Sequence, residues 1–475
     1  MPTKTVSLLA DRDCARIHDS ALRLLQSVGV HVANDEACHI LRRAGARVDE
    51  GGVVRVPPQL VQEALSAAPR KVELAGEGYR FCLPSDYTHY ASRVKYPRQQ
   101  AYPPTTDHVP TRQDIVNNCR LANALPLVKA VFVLDGPTAD FDERANWLLT
   151  PATVLSNSPK HVISPSIHLR SAQYWAEMAE AASDSGDLKR EPRLTIMVSP
   201  HGPLRLDSDT ADVMLFAVRR GIPVSILPIP MAGVTSPVTL AGTLAVGAAE
   251  ALFMITLAQV VSTGAPALYA GDALTFNMRT GAVSLGDPEA ALFFSAEMAM
   301  AHFYGLPSYL GTGFTDSYYP DVQAGAEKAL TVFVSLASGA DLVTVGGALG
   351  AATIVSCEQI VIDHDIFEAA QRVTREIEVN EDTLALEVIE EIGHRGGEYL
   401  SHPHTLRWLR TGERYFGGTF DRAPGMDESR AMLQAAHRRV EEILERSPGG
   451  EVSPAAIERV RSYVREQKGP TVPWL

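Results

Sequence analysis

Seven apolar segments rich in β-branched residues recur along the middle of the chain and constrain its fold more than any other feature. They lie at 128–135, 161–166, 194–200, 223–230, 266–272, 307–313 and 340–347. Their spacing is roughly 30–45 residues, with a helical segment between successive members, as in βαβ units. The apolar residues are continuous rather than alternating, which a parallel sheet covered on both faces requires. This pattern predicts an α/β fold, a (β/α)8 TIM-like barrel.

The eighth strand of that barrel is not evident in the sequence, and a doubly wound open sheet is the alternative. We favour the barrel because seven uninterrupted repeats suit a closed ring, and because no Gly-x-Gly-x-x-Gly opens the first unit. Residues 1–104 are predicted to form a small N-terminal α/β lobe and a connecting loop. Residues 105–375 are predicted to form the barrel core, and residues 376–475 a C-terminal helical extension.

Charge and cysteine content limit the class of protein. The 475 residues include 43 basic and 56 acidic ones, a net charge of −13, which argues against binding to nucleic acid or to acidic lipid. Residues 234–261 carry one charge, Glu250, and are long enough to cross a bilayer, but their Ala, Gly and Thr content favours a buried helix. Five scattered cysteines, and no secretory segment after Met1, indicate a reduced, cytoplasmic protein.

Candidate site residues are expected where strands end, since barrel enzymes place reactive groups at the C-terminal ends of their strands. These ends offer Asp135, Ser164, His201, Met231 and Asp272. The richest loop is 315–321, where two carboxylates and two tyrosines follow a Gly-x-Gly. Asp316 and Tyr318 are predicted to line a site, because tyrosine faces and a carboxylate suit a cation. Asp321 fits better as the cap of the next helix.

Other residues with chemical potential are less specific. Glu358 begins a helix, where it is either a charge that favours the helix N-terminus or a buried acid facing the barrel mouth. Cys357 has no histidine placed to activate it. His402 and His404 fit a turn better than a metal site, because no Cys or carboxylate stands at ligand spacing. The sequence contains no metalloprotease, serine-hydrolase or P-loop motif.

Five blocks of sequence, in order along nearly the whole chain, resemble the trimethylamine methyltransferase (MttB) superfamily. They are RIHDSALRLLQSVGVHVANDEACHILRRAGARVD, PIPMAGVTSPVTLAGTLAVGAAEALFMITLAQVVSTGAPALYAGD, GDPEAALFFSAEMAMAHFYGLPSYLGTGFTDSYYPDVQAGAEKAL, SCEQIVIDHDIF and GGEYLSHPHTLRWLR. The resemblance implies a (β/α)8 barrel that removes a methyl group from a tertiary or quaternary amine. The methyl group passes to the Co(I) of a corrinoid on a separate carrier protein.

Two differences between this sequence and other members of the family bear on which substrate the resemblance implies. Members that act on trimethylamine carry pyrrolysine in the barrel, whereas every residue here is an ordinary one, as in relatives that use quaternary amines such as glycine betaine. The family's glycine-rich N-terminal loop is replaced by HYASRVKYPRQQAYPPT. The carrier signature Asp-x-His-x-x-Gly is absent from this sequence. We therefore expect no cofactor or metal held by this chain, a corrinoid-binding partner protein, and a chain that can form a homo-oligomer.

The implied chemistry depends on position more than on reactive side chains. A quaternary ammonium leaves as a neutral amine, so no general acid or side-chain nucleophile is required and no catalytic residue is predicted. The predicted substrate-binding cage consists of Tyr96, Tyr269, Asp316 and Tyr318, with Glu358 and Tyr319 behind them. If the substrate is a betaine, Arg93, Arg98 or His201 is expected to hold its carboxylate.

Two other functions remain open, because a barrel fold does not fix an activity. One is a cobalamin-independent enzyme, such as a lyase acting through Asp316. The other is a non-catalytic protein that binds quaternary amines. Turnover without cobalamin would favour the first, and betaine binding without methyl transfer would favour the second.

Overall fold

The computed structural model describes residues 6–394, 396–415, 417–423, 425, 431–446 and 452–468. The N-terminal lobe consists of α1 (Asp11–Ser27), β1 (Val30–Val32), α2 (Asp35–Arg43), β2 (Arg47–Val48), β3 (Val53–Arg55), α3 (Pro58–Ala67), β4 (Val72–Gly76) and β5 (Tyr79–Leu83). Helix α1 forms because Ile17, Ala21 and Leu25 recur on one face, which is buried. Asn34 caps α2 by accepting a hydrogen bond from the Ala37 amide (2.9 Å).

The barrel follows the lobe and alternates strands with helices. In chain order its elements are β6 (His89–Lys95), β7 (Arg98–Gln100), β8 (Asp107–His108), α4 (Arg112–Ala124), β9 (Val128–Val133), α5 (Glu143–Asn157), β10 (His161–Pro165), α6 (Leu169–Ala182), β11 (Leu194–Val198), β12 (Arg205–Leu206), α7 (Ser208–Arg220), β13 (Val224–Ile226), α8 (Leu240–Val261), β14 (Ala267–Gly271), β15 (Thr275–Asn277), β16 (Ala282–Ser284), α9 (Pro288–Tyr304), β17 (Ser308–Gly311), α10 (Val322–Ala337), β18 (Leu342–Thr344), β19 (Ala348–Leu349), β20 (Ile354–Val355) and α11 (Cys357–Thr374). Eight parallel strands close in the order β6-β9-β10-β11-β13-β14-β17-β18, and β18 pairs back onto β6. The predicted (β/α)8 barrel is confirmed.

Each of the seven apolar segments supplies one barrel strand, and the eighth strand is β6. Its sequence, HYASRVK, does not resemble the other strands because it is largely polar, although every residue in it is buried. This strand lies within the range 1–104 that was assigned to the N-terminal lobe. The barrel therefore begins at His89 and not at residue 105, and the remaining boundaries stay predictions.

Helix α8 is the one described helix that is long and apolar enough to cross a membrane, and it belongs to the core. Of its most apolar window, 78% is buried inside the protein. It packs against α1 and α3 of the lobe and against its neighbours α7 and α9. The core of the protein thus covers its apolar surface, as the sequence predicted.

The helical extension after the barrel contains five helices among the described residues. Its elements are α12 (Glu381–Leu384), α13 (Leu386–Ile392), α14 (Pro403–Arg410), α15 (Met432–Arg446) and α16 (Pro454–Lys468). Helix α15 packs on α11 and α4, and α16 packs on α5 and α6, so these two helices cover the outside of the barrel. His402 caps α14 through its Nδ1, which accepts from the His404 amide (3.1 Å) and agrees with the predicted turn.

A buried ion pair joins two loops at the C-terminal end of the barrel. Lys328 on α10 donates to Asp363 on α11 (Nζ–Oδ2 2.9 Å), and both side chains are completely buried. Lys328 also donates to the Gly313 carbonyl oxygen (2.6 Å), and Asp363 accepts from the Gly347 amide (2.7 Å). The pair therefore fixes the loops that follow β17 and β18.

Replacing Lys328 by Met should lower the free energy of unfolding by about 3–5 kcal/mol, because the Asp363 carboxylate is then buried without a cation. The double variant Lys328→Met/Asp363→Asn should recover part of the loss, since the amide oxygen still accepts from Gly347 without a buried charge. Urea unfolding followed by circular dichroism measures both. Lys71→Met at an exposed position is the control and should change stability by less than about 0.5 kcal/mol. Equal losses in the single and double variants would contradict the charge-based explanation.

Candidate functional site

A cavity of about 650 Å³ opens at the C-terminal ends of the barrel strands. Small-molecule sites typically enclose about 300–1,000 Å³. Every barrel strand contributes a wall residue from its last three positions or from the position directly after its end. In chain order these residues are Arg93, Phe132, Pro165, Met197, Leu227, Asp272, Tyr309 and Thr344. This is the end of the fold where barrel enzymes hold their substrates.

Four buried aromatic side chains line this cavity: Tyr96, Phe132, Tyr309 and Phe314. The two tyrosine hydroxyls are already engaged within the protein. Tyr96 Oη accepts from Arg93 Nε (2.8 Å), and Tyr309 Oη shares a hydrogen bond with Thr344 Oγ1 (2.6 Å). Rings whose hydroxyls are engaged offer a ligand their π surface, which attracts an alkylated cation.

Asp272 is the one carboxylate among the described residues that line the cavity. It follows β14 directly, and its Oδ1 atom is buried and has no hydrogen-bond partner. Burial raises the pKa of Asp272 to about 7, and the nearby Arg93 charge offsets part of that effect. A carboxyl group in this state changes charge near neutral pH, and its charged form would be stabilised by a cation in the cavity.

Arg93 brings a buried positive charge to the same cavity. Its guanidinium donates to the main-chain oxygens of Thr312 (3.1 Å) and Val345, in addition to Tyr96. Its Cζ atom lies 4.3 Å from the centre of the Phe314 ring. These contacts hold β6 against the ends of β17 and β18. The cavity therefore contains one fixed cation and one carboxyl group, a pair that suits a ligand carrying both charges.

Glu297 on α9 supports the segment that carries Asp272. Its Oε1 atom accepts a hydrogen bond from the Ala273 amide (2.9 Å), and burial raises its pKa well above the usual range. Gly271 makes this approach possible, because a Cβ at that position would overlap the Glu297 carboxyl group. Glu297 was not predicted from the sequence, although an acid in the apolar interior of a helix was a signal.

Glu250 on α8 supports a loop of the barrel in a similar way. Its Oε1 atom accepts from the Leu204 amide (2.8 Å), in the loop that also carries His201. Burial raises the pKa of Glu250 to about 7. This residue stood out in the sequence as the one charge in a long apolar segment, but it was not assigned a role.

Two of the seven predicted substrate-binding residues line the cavity. Tyr96 lies in the aromatic wall described above. His201 lies at the rim, where its side chain is 74% exposed and its Nδ1 atom is 2.9 Å from Asp207 Oδ2. The other five do not line the cavity, and they are Tyr269, Asp316, Tyr318, Tyr319 and Glu358.

Tyr269 faces the helices that surround the barrel, so its placement in the cage is corrected. Its buried ring packs against Tyr304 of α9, with ring centres 5.6 Å apart. Side chains alternate across a strand. Tyr269 and Gly271 therefore face α9, whereas Asp272 faces the barrel interior.

Asp316 holds a hairpin instead of lining the cavity. Its Oδ1 atom accepts from the Leu285 amide (2.8 Å), and its Oδ2 atom accepts from Ser284 Oγ. Both carboxylate oxygens thus fasten the β15–β16 hairpin beside the mouth. The carboxylate that lines the cavity is that of Asp272, whereas Asp316 was the one predicted from the sequence.

Tyr318, Tyr319 and Glu358 also occupy places other than the predicted cage. Tyr318 and Tyr319 lie on the loop after β17 and are 56% and 54% exposed. Glu358 is buried in the first turn of α11, where its Oε1 atom is 2.9 Å from His437 Nδ1 of α15. This position corresponds to the alternative of a charge at the helix N-terminus.

One group among the described residues can offer several ligands to a metal ion. His364, Asp365 and Glu368 of α11 bring their ligand atoms within 4.8 Å of one another. Asp365 already accepts from the Thr419 amide (2.7 Å) and hydroxyl (2.6 Å). Through the contact between Asp365 and Thr419, the group links α11 to the segment around residue 419. The group does not line the cavity.

Exposed apolar side chains surround the mouth of the cavity. They occur on loops that follow β10, β13, β14 and β17, at Ile167, Val234, Val238, Met278, Tyr318 and Tyr319. Apolar surface of this kind at the entrance of a site is typical of a docking surface.

Comparison with known proteins identifies the family. A family model described as trimethylamine methyltransferase (MTTB) matches residues 1–470.

The chain belongs to the MttB family.

Relatives of this MttB-family chain act on methylated amines and a betaine, as their names state. It is 30% identical over 461 residues to the trimethylamine methyltransferase MttB of Methanosarcina barkeri (strain Fusaro / DSM 804), covering 92% of this chain and 90% of that protein. It is 27% identical over 480 residues to the glycine betaine methyltransferase of Desulfitobacterium hafniense (strain Y51), covering 97% of each. The crystal structure of the Methanosarcina barkeri monomethylamine methyltransferase (MtmB) shares the fold, with a TM-score of 0.52 at 13% identity over 91% of this chain and 94% of that one.

The cavity of this MttB-family chain should bind a permanent cation more tightly as the pH rises through about 7, because Asp272 then becomes charged. Calorimetry with tetramethylammonium should give an affinity that rises about tenfold per pH unit below the pKa and levels off above it. Asp272→Asn should bind weakly at every pH. Asp316→Asn is the control and should keep both the affinity and its pH dependence. A wild-type affinity that does not change with pH would contradict this role for Asp272.

Proposed function

We propose that this chain removes a methyl group from a quaternary (or tertiary) amine, of which a betaine is the favoured class, and passes it to the Co(I) corrinoid of a separate carrier protein. The observation that carries the proposal is the position of Asp272. Its carboxyl group, whose buried Oδ1 atom has no hydrogen-bond partner, lines a cavity that has aromatic walls. Such a site is suited to a cation that offers no proton.

The reaction requires the protein to position the substrate and to stabilise the positive charge of its ammonium group. When a methyl group is transferred from a quaternary ammonium, the electrons of the broken C–N bond stay on nitrogen. The amine that is released is therefore neutral, and no residue has to protonate it. The positive charge on nitrogen falls in the transition state, and several carboxylates would therefore over-stabilise the substrate. One carboxylate with four aromatic side chains holds the cation without that penalty.

A betaine carries a carboxylate as well, and Arg93 is the favoured partner for it. Three of the five guanidinium N–H groups are engaged within the protein, which leaves two for a ligand. Arg98 pairs with Asp107 and does not line the cavity, and His201 is exposed at the rim. A zwitterion would set its carboxylate against Arg93 and its ammonium against Asp272. A simple alkylammonium would leave Arg93 without a counterion.

The partner's corrinoid would supply the nucleophile, a reduced cobalt that accepts the methyl group. This chain would hold the methyl group toward the open mouth at a distance and angle suited to transfer. The rim offers exposed apolar side chains such as Ile167, Met278 and Tyr319 for the approach of a carrier. The described residues thus fit a site whose cofactor arrives from outside.

The lyase alternative used Asp316 as its acid, but both oxygens of this carboxylate accept hydrogen bonds from the β15–β16 hairpin and the residue after it. Asp316 therefore does not support this alternative.

The remaining alternative, a protein that binds amines without turnover, differs from the proposed function in one measurable respect. The purified chain should convert a reduced corrinoid protein to its methylated form, which the methylcobalamin absorbance reports, when glycine betaine is supplied. Carnitine, choline and trimethylamine complete the panel. Without the carrier no substrate should be consumed. Turnover in the absence of cobalamin, or binding without methyl transfer to any carrier tested, would contradict the proposal.

Replacing Arg93 by Gln should lower kcat/KM for glycine betaine by about 10- to 100-fold, because a charge-assisted hydrogen bond to the carboxylate is lost. At alkaline pH, where Asp272 is charged with or without Arg93, the affinity for tetramethylammonium, which has no carboxylate, should stay the same or improve. This measurement also checks that the variant is folded. Arg98→Gln is the matched control and should leave both values unchanged. A parallel loss for both ligands would show that Arg93 acts only by holding the strands.

A further inference from the structure

Residues 376–412 leave the barrel as a separate arm. The arm begins after α11 and contains α12, α13 and α14. Its two ends meet at its base, where Arg375 pairs with Glu413 (3.3 Å). Helices of this length are not stable alone in water, so their apolar residues need a surface to pack against.

The arm exposes most of its large apolar side chains. Nine of them are exposed: Ile377, Val379, Leu384, Leu386, Ile389, Tyr399, Leu400, Leu406 and Leu409. Ile377 and Leu400 are 84% and 77% exposed. Among the described residues of its three helices, Ile392 is the buried one. Apolar surface concentrated in this way marks a contact with another molecule.

The arm lies at the end of the barrel opposite the cavity. Thr374 and Arg375, at its base, line one groove together with Thr88, which precedes β6, and Ala340, which precedes β18. These positions mark the N-terminal ends of the strands, whereas the cavity opens at their C-terminal ends. A carrier protein docked at the mouth therefore does not cover this surface.

The charges of the arm complement one another. Residues 376–394 contain seven acidic residues and no Lys or Arg, and all seven are exposed. Helix α14 carries exposed Arg407 and Arg410, and Arg407 lies 3.6 Å from Asp382 within the same arm. A two-fold axis would set the acidic half of one arm against the basic half of a second arm, as an isologous interface requires.

We propose that the arm is the surface through which two copies of this chain associate, related by a two-fold axis. The exposed apolar side chains form the centre of the contact, and the acidic α12–α13 segment of each copy faces α14 of its partner. The arm is large enough, since a standard interface uses about 20–30 residues per side. This inference does not depend on the proposed function, because it concerns the opposite end of the barrel.

Sedimentation velocity on the full chain should give at least twice the monomer mass at micromolar concentration. The variant Ile377→Asp/Leu400→Asp should raise the dissociation constant by about 100-fold or more, because four charges then enter the centre of one interface. Circular dichroism should be unchanged, since both side chains are exposed in the single chain. Val322→Asp, at a position 89% exposed beside the mouth, is the matched control and should leave the mass unchanged. A monomeric wild type, or an oligomer that ignores the arm variant, would overturn the proposal.

A charge exchange tests the two-fold arrangement itself. Arg407→Glu/Arg410→Glu alone should be monomeric, and so should Glu387→Lys/Glu390→Lys. A mixture of the two variants should associate again, because each mutated segment then meets its complement. Methyl transfer by the dissociated variants should match wild type, which separates a failure of this proposal from a failure of the proposed function. Mixtures that stay monomeric, or variants that remain associated alone, would exclude the arrangement.

Discussion

The Oδ1 atom of Asp272 is buried at the cavity wall without a hydrogen-bond partner, and the properties of the cavity depend on this missing hydrogen bond. Burial works against its charged form, and Arg93 compensates only in part. The Glu297 carboxyl group lies just behind it, and burial raises the pKa of this group well above the usual range. A cation that enters therefore meets one carboxylate whose charge is not yet balanced. The aromatic lining adds attraction without adding a proton donor.

The sequence predicted the barrel because its strands have a strong common pattern. The segments 128–135 and 340–347, and the five between them, are mainly apolar and do not alternate, since both faces of the sheet are covered. Strand β6 lacked this pattern, because it carries Arg93, which lines the cavity, and the buried Lys95, which donates to the Gly136 carbonyl oxygen (2.6 Å). A strand that serves the site is the one whose sequence departs from its neighbours.

The same property that revealed the strands concealed which side chains point inward. An alternating strand shows which face is buried, whereas a continuously apolar strand does not, so Tyr269 and Asp272 could not be assigned to faces from sequence. Asp272 was recognised as a strand end, but the loop at 315–321 offered more tyrosines and carboxylates. In the structure Asp316 is occupied by hairpin hydrogen bonds, which sequence spacing does not encode. Tyr96 lines the cavity because it follows β6 directly, and its role in binding a substrate stays a prediction.

The acids in the apolar interiors of α8 and α9 were a clearer signal than the tyrosine-rich loop. A charged residue is rarely buried in an apolar helix unless it serves a specific partner. Glu250 and Glu297 each accept a main-chain N–H from a loop at the mouth, so the helices hold the cavity at a defined shape from behind. With the mouth supported in this way, the barrel can leave it open for the proposed carrier. The proposed contacts between copies lie at the opposite end, where they do not compete with that carrier.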